Sequence, residues 1–147
     1  MLMKKICLLL LLLPALQFVQ AQNHQTLSDE GYQDNKIVFQ VVTQDTLARK
    51  ALMKQLNNIR SVAPNTPIEV VCHGPGLYML VTERCVIQKQ LKEQAAKGIS
   101  FVACEFSLKE RNVSKDAVVP EANFVRSGAL EIANKQRLGW SYLKAGF

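Results

Sequence analysis

The chain has 147 residues, 48% of them hydrophobic and 20% charged, the composition of an ordinary globular protein with one domain. Its formal net charge is +6; taking Lys4 and Lys5 from its 18 basic side chains leaves 16 against 12 acidic ones, scattered among one another. A nucleic-acid surface gathers its cations into one patch with interleaved aromatics. This balance argues against a nucleic-acid partner and for a solvated surface with a mild pull on anions.

The first 21 residues carry a targeting pattern. Lys4-Lys5 precede the apolar run Ile6–Leu13, and Val19-Gln20-Ala21 offers small residues for cleavage after Ala21. Residues 1–21 therefore read as a signal peptide of an exported protein, periplasmic or secreted. The run is short and interrupted by Pro14 and Gln17, so no stable membrane anchor is expected after cleavage. Residues 22–35 are polar and read as a disordered leader, with 36–147 as the folded domain. The exported chain keeps Cys72, Cys85 and Cys104. An odd number in an oxidising compartment implies a free thiol or a bond between chains. There is no CxxC and the chain has two His, so no metal site is expected, and no cofactor.

Taken in order, the domain alternates apolar runs with helical periodicity. Lys36–Val42 reads as a strand covered on both faces. Asp45 is placed to cap a helix whose apolar stripe is Leu47, Ala48, Ala51, Leu52, Leu56 and Ile59, with Arg49, Lys50 and Lys54 turned to solvent. Pro64-Asn65-Thr66-Pro67 ends it, and Ile68–Cys72 is the second strand. Residues 84–97 read as a helix on Val86, Ile87, Leu91 and Ala95, stopped by Gly98, with Cys85 packing at its start. Residues 99–103 form the third strand and deliver Cys104; Ser107 is placed to cap a short helix. Residues 123–126 form a fourth strand, followed by a helix from Ser127-Gly128 to about Arg137 on Leu130, Ile132, Ala133 and Leu138. Residues 140–143 are either a last strand or a docking segment. The alternation predicts an α/β/α sandwich of three layers with a mainly parallel sheet of about five strands.

Loops that follow parallel strands share one edge, where ligands bind. That edge gathers Thr43-Gln44, His73-Gly74, Cys104 and Ser127. Cys104 stands where a strand passes into a helix, a position that favours thiolate if the sulfur is open to solvent. The alternative is a small buried hydrophobe. His73-Gly74-Pro75-Gly76 offers either a base beside an anion-binding nest, with Gly74 and Gly76 allowing close approach, or simply a tight turn. A disulfide between Cys72 and Cys104 is a third arrangement, if their Cα atoms lie within about 7 Å.

Three blocks carry a resemblance to a known family: the strand with HGPG-L, then LKEQAAKGISFVACEFSLKER, then FVRSGALEIANKQRLGWSYLKAGF. From about Lys36 onwards the chain resembles the DsrE/DsrF-like family of sulfur-relay proteins. The resemblance implies an α/β/α sandwich, homo-oligomers, and a persulfide-carrying cysteine that maps onto Cys104, with the strand-end His-Gly pair on His73 and Gly74. Two functions follow as expectations. The first is a sulfur carrier or sulfurtransferase in which Arg111 and the helix start lower the Cys104 pKa, and Ser127 and Gly128 hold an anionic group. Its partners are a thiol-containing protein or a small sulfane-sulfur donor. The second is a non-enzymatic module for small-ligand binding or oligomeric assembly, with Cys104 structural.

Overall fold

A computed structural model describes residues 29–32 and 34–146. The expected signal peptide, 1–21, lies outside the described residues, as does most of the expected leader; its end makes a 3-10 turn over Asp29–Tyr32. Five strands form one sheet: β1 (Ile37–Val41), β2 (Ile68–Cys72), β3 (Ile99–Cys104), β4 (Ala122–Val125) and β5 (Ser141–Lys144). Their order is β4-β3-β2-β1-β5, and every neighbouring pair is parallel. The helices are α1 (Thr46–Val62), α2 (Gln88–Ala96), α3 (Glu105–Glu110) and α4 (Gly128–Arg137). The predicted sandwich and its parallel sheet are what forms, and of the expected 140–143 segment all but Trp140 falls in the edge strand β5.

Side chains alternate across a strand, so the register divides the sheet into two unlike faces. Phe39, Val41, Val70, Cys72, Phe101 and Ala103 point to the main core, where Leu52, Leu56, Ile87 and Leu91 of the α1/α2 layer meet them. Val38 and Val71 point the other way and meet Ile132 of α4 and Trp140. The turn after β2 (a 3-10 stretch, Gly74–Met79) presses onto β1: a Cβ at Gly76 would lie 2.0 Å from the Val41 carbonyl oxygen. Gly76 is thus required for backbone contact within the core.

Three helices differ from expectation. The buried face of α1 is Ala48, Arg49, Leu52, Met53 and Leu56, turned by about one residue so that Leu47 is exposed and Arg49 is inside. The second helix begins at Gln88, four residues late; Thr82–Arg84 is a separate 3-10 turn. On α4, Leu130 and Leu138 are exposed and Ile132 is buried. The cause is geometric. β4 and β5 are opposite edges, so the connection between them crosses four strand spacings, about 19 Å. A ten-residue helix is about 15 Å long. Lying across the sheet, it offers one narrow line: Gly128, Ile132 and Lys135.

That line includes a charge pair. Glu69 on β2 is 7% exposed, and its carboxylate takes Lys135 Nζ at 2.8 Å; Glu131 shares the lysine at 3.6 Å. Lys135 also lies over the Trp140 ring, 4.3 Å from its centroid. Burial raises the Glu69 pKa, and Lys135 opposes the shift without cancelling it. Removing one partner of a buried pair leaves an uncompensated charge. Lys135→Met is expected to destabilise the fold by about 3 kcal/mol at neutral pH in urea unfolding. The loss should shrink in acid, where Glu69 takes up a proton, and in the double variant with Glu69→Leu. A single variant as stable as the parent would show that the pair does not hold α4.

Candidate functional site

The helices after β3 and β4 leave toward opposite layers: α3 sends Leu108 into the main core, while α4 lies on the other face. A crevice at such a divergence is where open α/β sheets bind ligands. Cys104 ends β3 at this point, and its backbone is the N-cap of α3, with φ −79° and ψ 118°. The helix therefore starts two residues before the predicted cap. Ser107 sits in its first turn and is buried.

This shift gives Ser107 a different task. Its Oγ accepts the Gly74 N–H at 2.8 Å, which leaves its O–H to donate to the Cys104 sulfur. Burial pushes the Cys104 thiol up. The Ser107 hydroxyl and the backbone N–H groups of Gly128, Ser107 and Phe106 outweigh it, and the pKa falls below the ordinary 9.0. All four are neutral polar groups turned toward the sulfur. As a thiol, Sγ points its weak donor at the Arg126 carbonyl, 4.0 Å away.

Gly128 closes the site. A Cβ there would meet His73 Cβ at 3.0 Å, a Val71 methyl at 3.1 Å and Cys104 Cβ at 3.3 Å. Ser127 caps α4, accepting the Leu130 N–H at 3.4 Å. His73 is half-buried, and burial lowers its pKa. Gln40 Nε2 donates to His73 Nε2 at 2.8 Å, which leaves the ring proton on Nδ1; Tyr142 Oη donates in turn to Gln40 Oε1.

The crevice brings together His73, Gly74, Cys104, Ser127 and Gly128. Gly76 lies in the core instead, against Val41. Arg111 ends α3 with its guanidinium 5.4 Å from the Tyr78 ring centroid, and it is not among the groups that lower the Cys104 pKa. The expected open sulfur is also corrected: Cys104 is 5% exposed, because α4 settles over the strand end. Beside it lies an open groove of about 630 Å³, walled by Phe106, Val125, Arg126 and Leu130. The three described cysteines are free. Cys72 pairs in register with Ala103, so Cys104, one residue on, points to the opposite face; this parity separates the two sulfurs. Burial pushes the thiols of Cys72 and Cys85 up. Among the described residues no group of three His, Cys, Asp or Glu is arranged to hold a metal.

Sequence reasoning missed Ser107 as a donor, and Gln40 and Tyr142. The C-x-x-S spacing was the signal for the first, since the third helical residue lies back over the N-cap. A lone Gln in an apolar strand was the signal for the second.

The DsrE/DsrF-like family model matches residues 35–145. The chain belongs to the DsrE/DsrF-like family. Among solved structures, this DsrE/DsrF-like chain is similar to MTH1491, a protein of unknown function from Methanobacterium thermoautotrophicum, at 24% identity and a TM-score of 0.72, covering 76% of this chain and 99% of that one. It is also similar to BT1422 from Bacteroides thetaiotaomicron, a conserved protein of unknown function, at 14% identity and a TM-score of 0.58, covering 82% and 99%. These likenesses carry the DsrE-like fold. No curated protein matches the chain.

Two outcomes follow for the thiol of this DsrE/DsrF-like site. Alkylation of Cys104 by a small iodoacetamide is expected to titrate with a midpoint below 9.0, and Ser107→Ala to move that midpoint up. Because folding lowers this pKa, the linked stability is complete above the unfolded value and fades as pH falls through the folded one. The stability advantage of the parent over Cys104→Ser should therefore grow as pH rises toward 9 in thermal unfolding. Gly128→Ala, which forces a methyl into contacts of 3.0–3.3 Å, is expected to cost about 1–3 kcal/mol in the same measurement.

Proposed function

We propose that this chain is an exported persulfide sulfur carrier of the DsrE/DsrF-like family, with Cys104 as the carrying residue. The observation that supports this reading most is the convergence of the Ser107 hydroxyl and the N–H groups of Ser107 and Gly128 on one sulfur. Thiolate is the reacting form, and lowering its pKa raises its fraction at neutral pH.

In the loading step the Cys104 thiolate attacks the outer sulfur of a sulfane donor, R–S–SH. The new Cys104 S–S bond forms as the donor S–S bond breaks, and RS⁻ leaves to take up a proton. In unloading, an acceptor thiolate attacks the outer sulfur and Cys104 leaves as thiolate. A low pKa favours that departure. The N–H groups of Ser107 and Gly128 then receive the charge again. His73, held by Gln40 and backing Gly128 beside Cys104, is the titratable group of this site best suited to exchange a proton.

Export places the carrier among oxidants that join thiols. The parity of the sheet supports survival there, because Cys72 and Cys85 lie in the main core and Cys104 faces α4. The donor is a small sulfane compound or a thiol-containing protein, and the working unit is a homo-oligomer.

The 5% exposure of Cys104 favours a second reading, in which the groove beside it binds a small ligand or a partner and the thiol is structural. One experiment divides the two. After incubation with a sulfane donor, intact-mass measurement should show a gain of one sulfur atom, removed by a thiol acceptor and absent from Cys104→Ala. A variant that still gains the mass, or a parent that never does, rejects the carrier.

A further inference from the structure

On the α1 side of the same sheet edge, two arginines lie against one aromatic ring and a third holds that residue's carbonyl. Arg49 stands in the first turn of α1, Arg84 in the turn before α2, and Arg111 at the end of α3. Tyr78 lies in the turn after β2. The Arg84 guanidinium sits 4.2 Å from the Tyr78 ring centroid and that of Arg111 sits 5.4 Å from it. Arg49 Nη1 donates to the carbonyls of Tyr78 and Arg84, each at 3.4 Å.

The charges are unbalanced. Among the described residues the ion pairs are all made by lysines, and none of these arginines has a carboxylate within 4 Å. Arg49 is 3% exposed, and its Nε and Nη2 have no hydrogen-bond partner; Arg111 Nε is likewise buried without one. Arg49 and Arg84 repel each other. Asp45, just before α1, attracts Arg49 without pairing with it, and Glu121, which reaches Cys85 electrostatically, pairs with none of the three. A buried charge is ordinarily paired and hydrogen-bonded. Guanidinium groups gathered about one residue, with no carboxylate within 4 Å, suit a ligand with several oxygen acceptors, which a planar fork engages through two N–H groups. Arg84 is exposed and Arg111 half-buried, so a ligand would meet these two first, with Arg49 buried behind them.

We propose that Arg49, Arg84 and Arg111 form a binding site, beside Tyr78, for a tetrahedral oxyanion of the phosphate or sulfate class. The inference does not rest on Cys104, whose sulfur lies on the opposite face of the sheet.

Calorimetric titration of the purified chain with inorganic phosphate, sulfate and phenyl phosphate, against chloride at fixed ionic strength, tests it. Phosphate or sulfate should bind saturably and raise the unfolding temperature. Arg84→Ala, an exposed change, should weaken binding about tenfold, or about 1.4 kcal/mol. Arg49→Met should abolish it, while unfolding in chloride no earlier than the parent, since a buried unpaired charge is gone. Where Arg49→Met does not fold, Arg111→Ala takes its place with the same tenfold expectation. Tighter binding of phenyl phosphate than of inorganic phosphate marks the ligand as an oxyanion group on a larger molecule; the reverse marks the free ion. No stabilisation beyond that of chloride, or unchanged affinity in Arg84→Ala, overturns the site.

Discussion

The first turn of α4 rests on the ends of β2 and β3 so closely that even a methyl group would press its neighbours aside. Gly128 has Val71, His73 and Cys104 within 3.0–3.3 Å of where its Cβ would be. From that contact follow the cap at Ser127, the direction of the Gly128 N–H toward sulfur, and the cover that leaves Cys104 5% exposed. Lift the helix by one methyl and the thiol keeps its place in the strand but loses a donor and its roof. The sheet supplies the sulfur, and the helix decides what kind of sulfur it is.

Much of this was legible in the chain itself. Five apolar runs separated by helical periods left little choice of fold class, and Asp45 and Ser127 both cap the helices they precede. What pattern reading missed were polar residues inside apolar segments. The helical pattern turns Arg49 to solvent, where an arginine ordinarily lies; its burial follows from a one-residue rotation of α1 that brings Met53 inward. Glu69 in β2 and Gln40 in β1 interrupt otherwise apolar strands, and each is answered by a residue far along the chain, Lys135 and Tyr142. Such pairings depend on strand order, which local sequence does not encode. α4 was misread for a related reason: its stripe assumed an ordinary amphipathic face, whereas a helix lying across strands needs one line of contact.

The two faces of the sheet also handle buried charge differently. On the α4 face, Glu69 is met by Lys135, and the pair joins helix to strand. On the α1 face, Arg49 is met by carbonyl oxygens and by a second arginine nearby. One charge is answered within the chain and the other is not. That asymmetry is what separates a structural ion pair from a surface prepared for something negative.

The crossing of α4 has a consequence for the order of assembly. β1 to β4 are added side by side, each strand pairing with the one before it. β5 instead returns to β1, and Tyr142 meets Gln40 across 102 residues of sequence. Contacts of that separation bear the largest loop-closure entropy and form slowly. A nascent chain that ends before Ser127 already contains Cys104, Ser107, His73 and Gln40, yet lacks the Gly128 amide and the Tyr142 hydroxyl. During synthesis the cysteine has its serine neighbour but not its cover, and its environment is complete only when the C-terminus arrives.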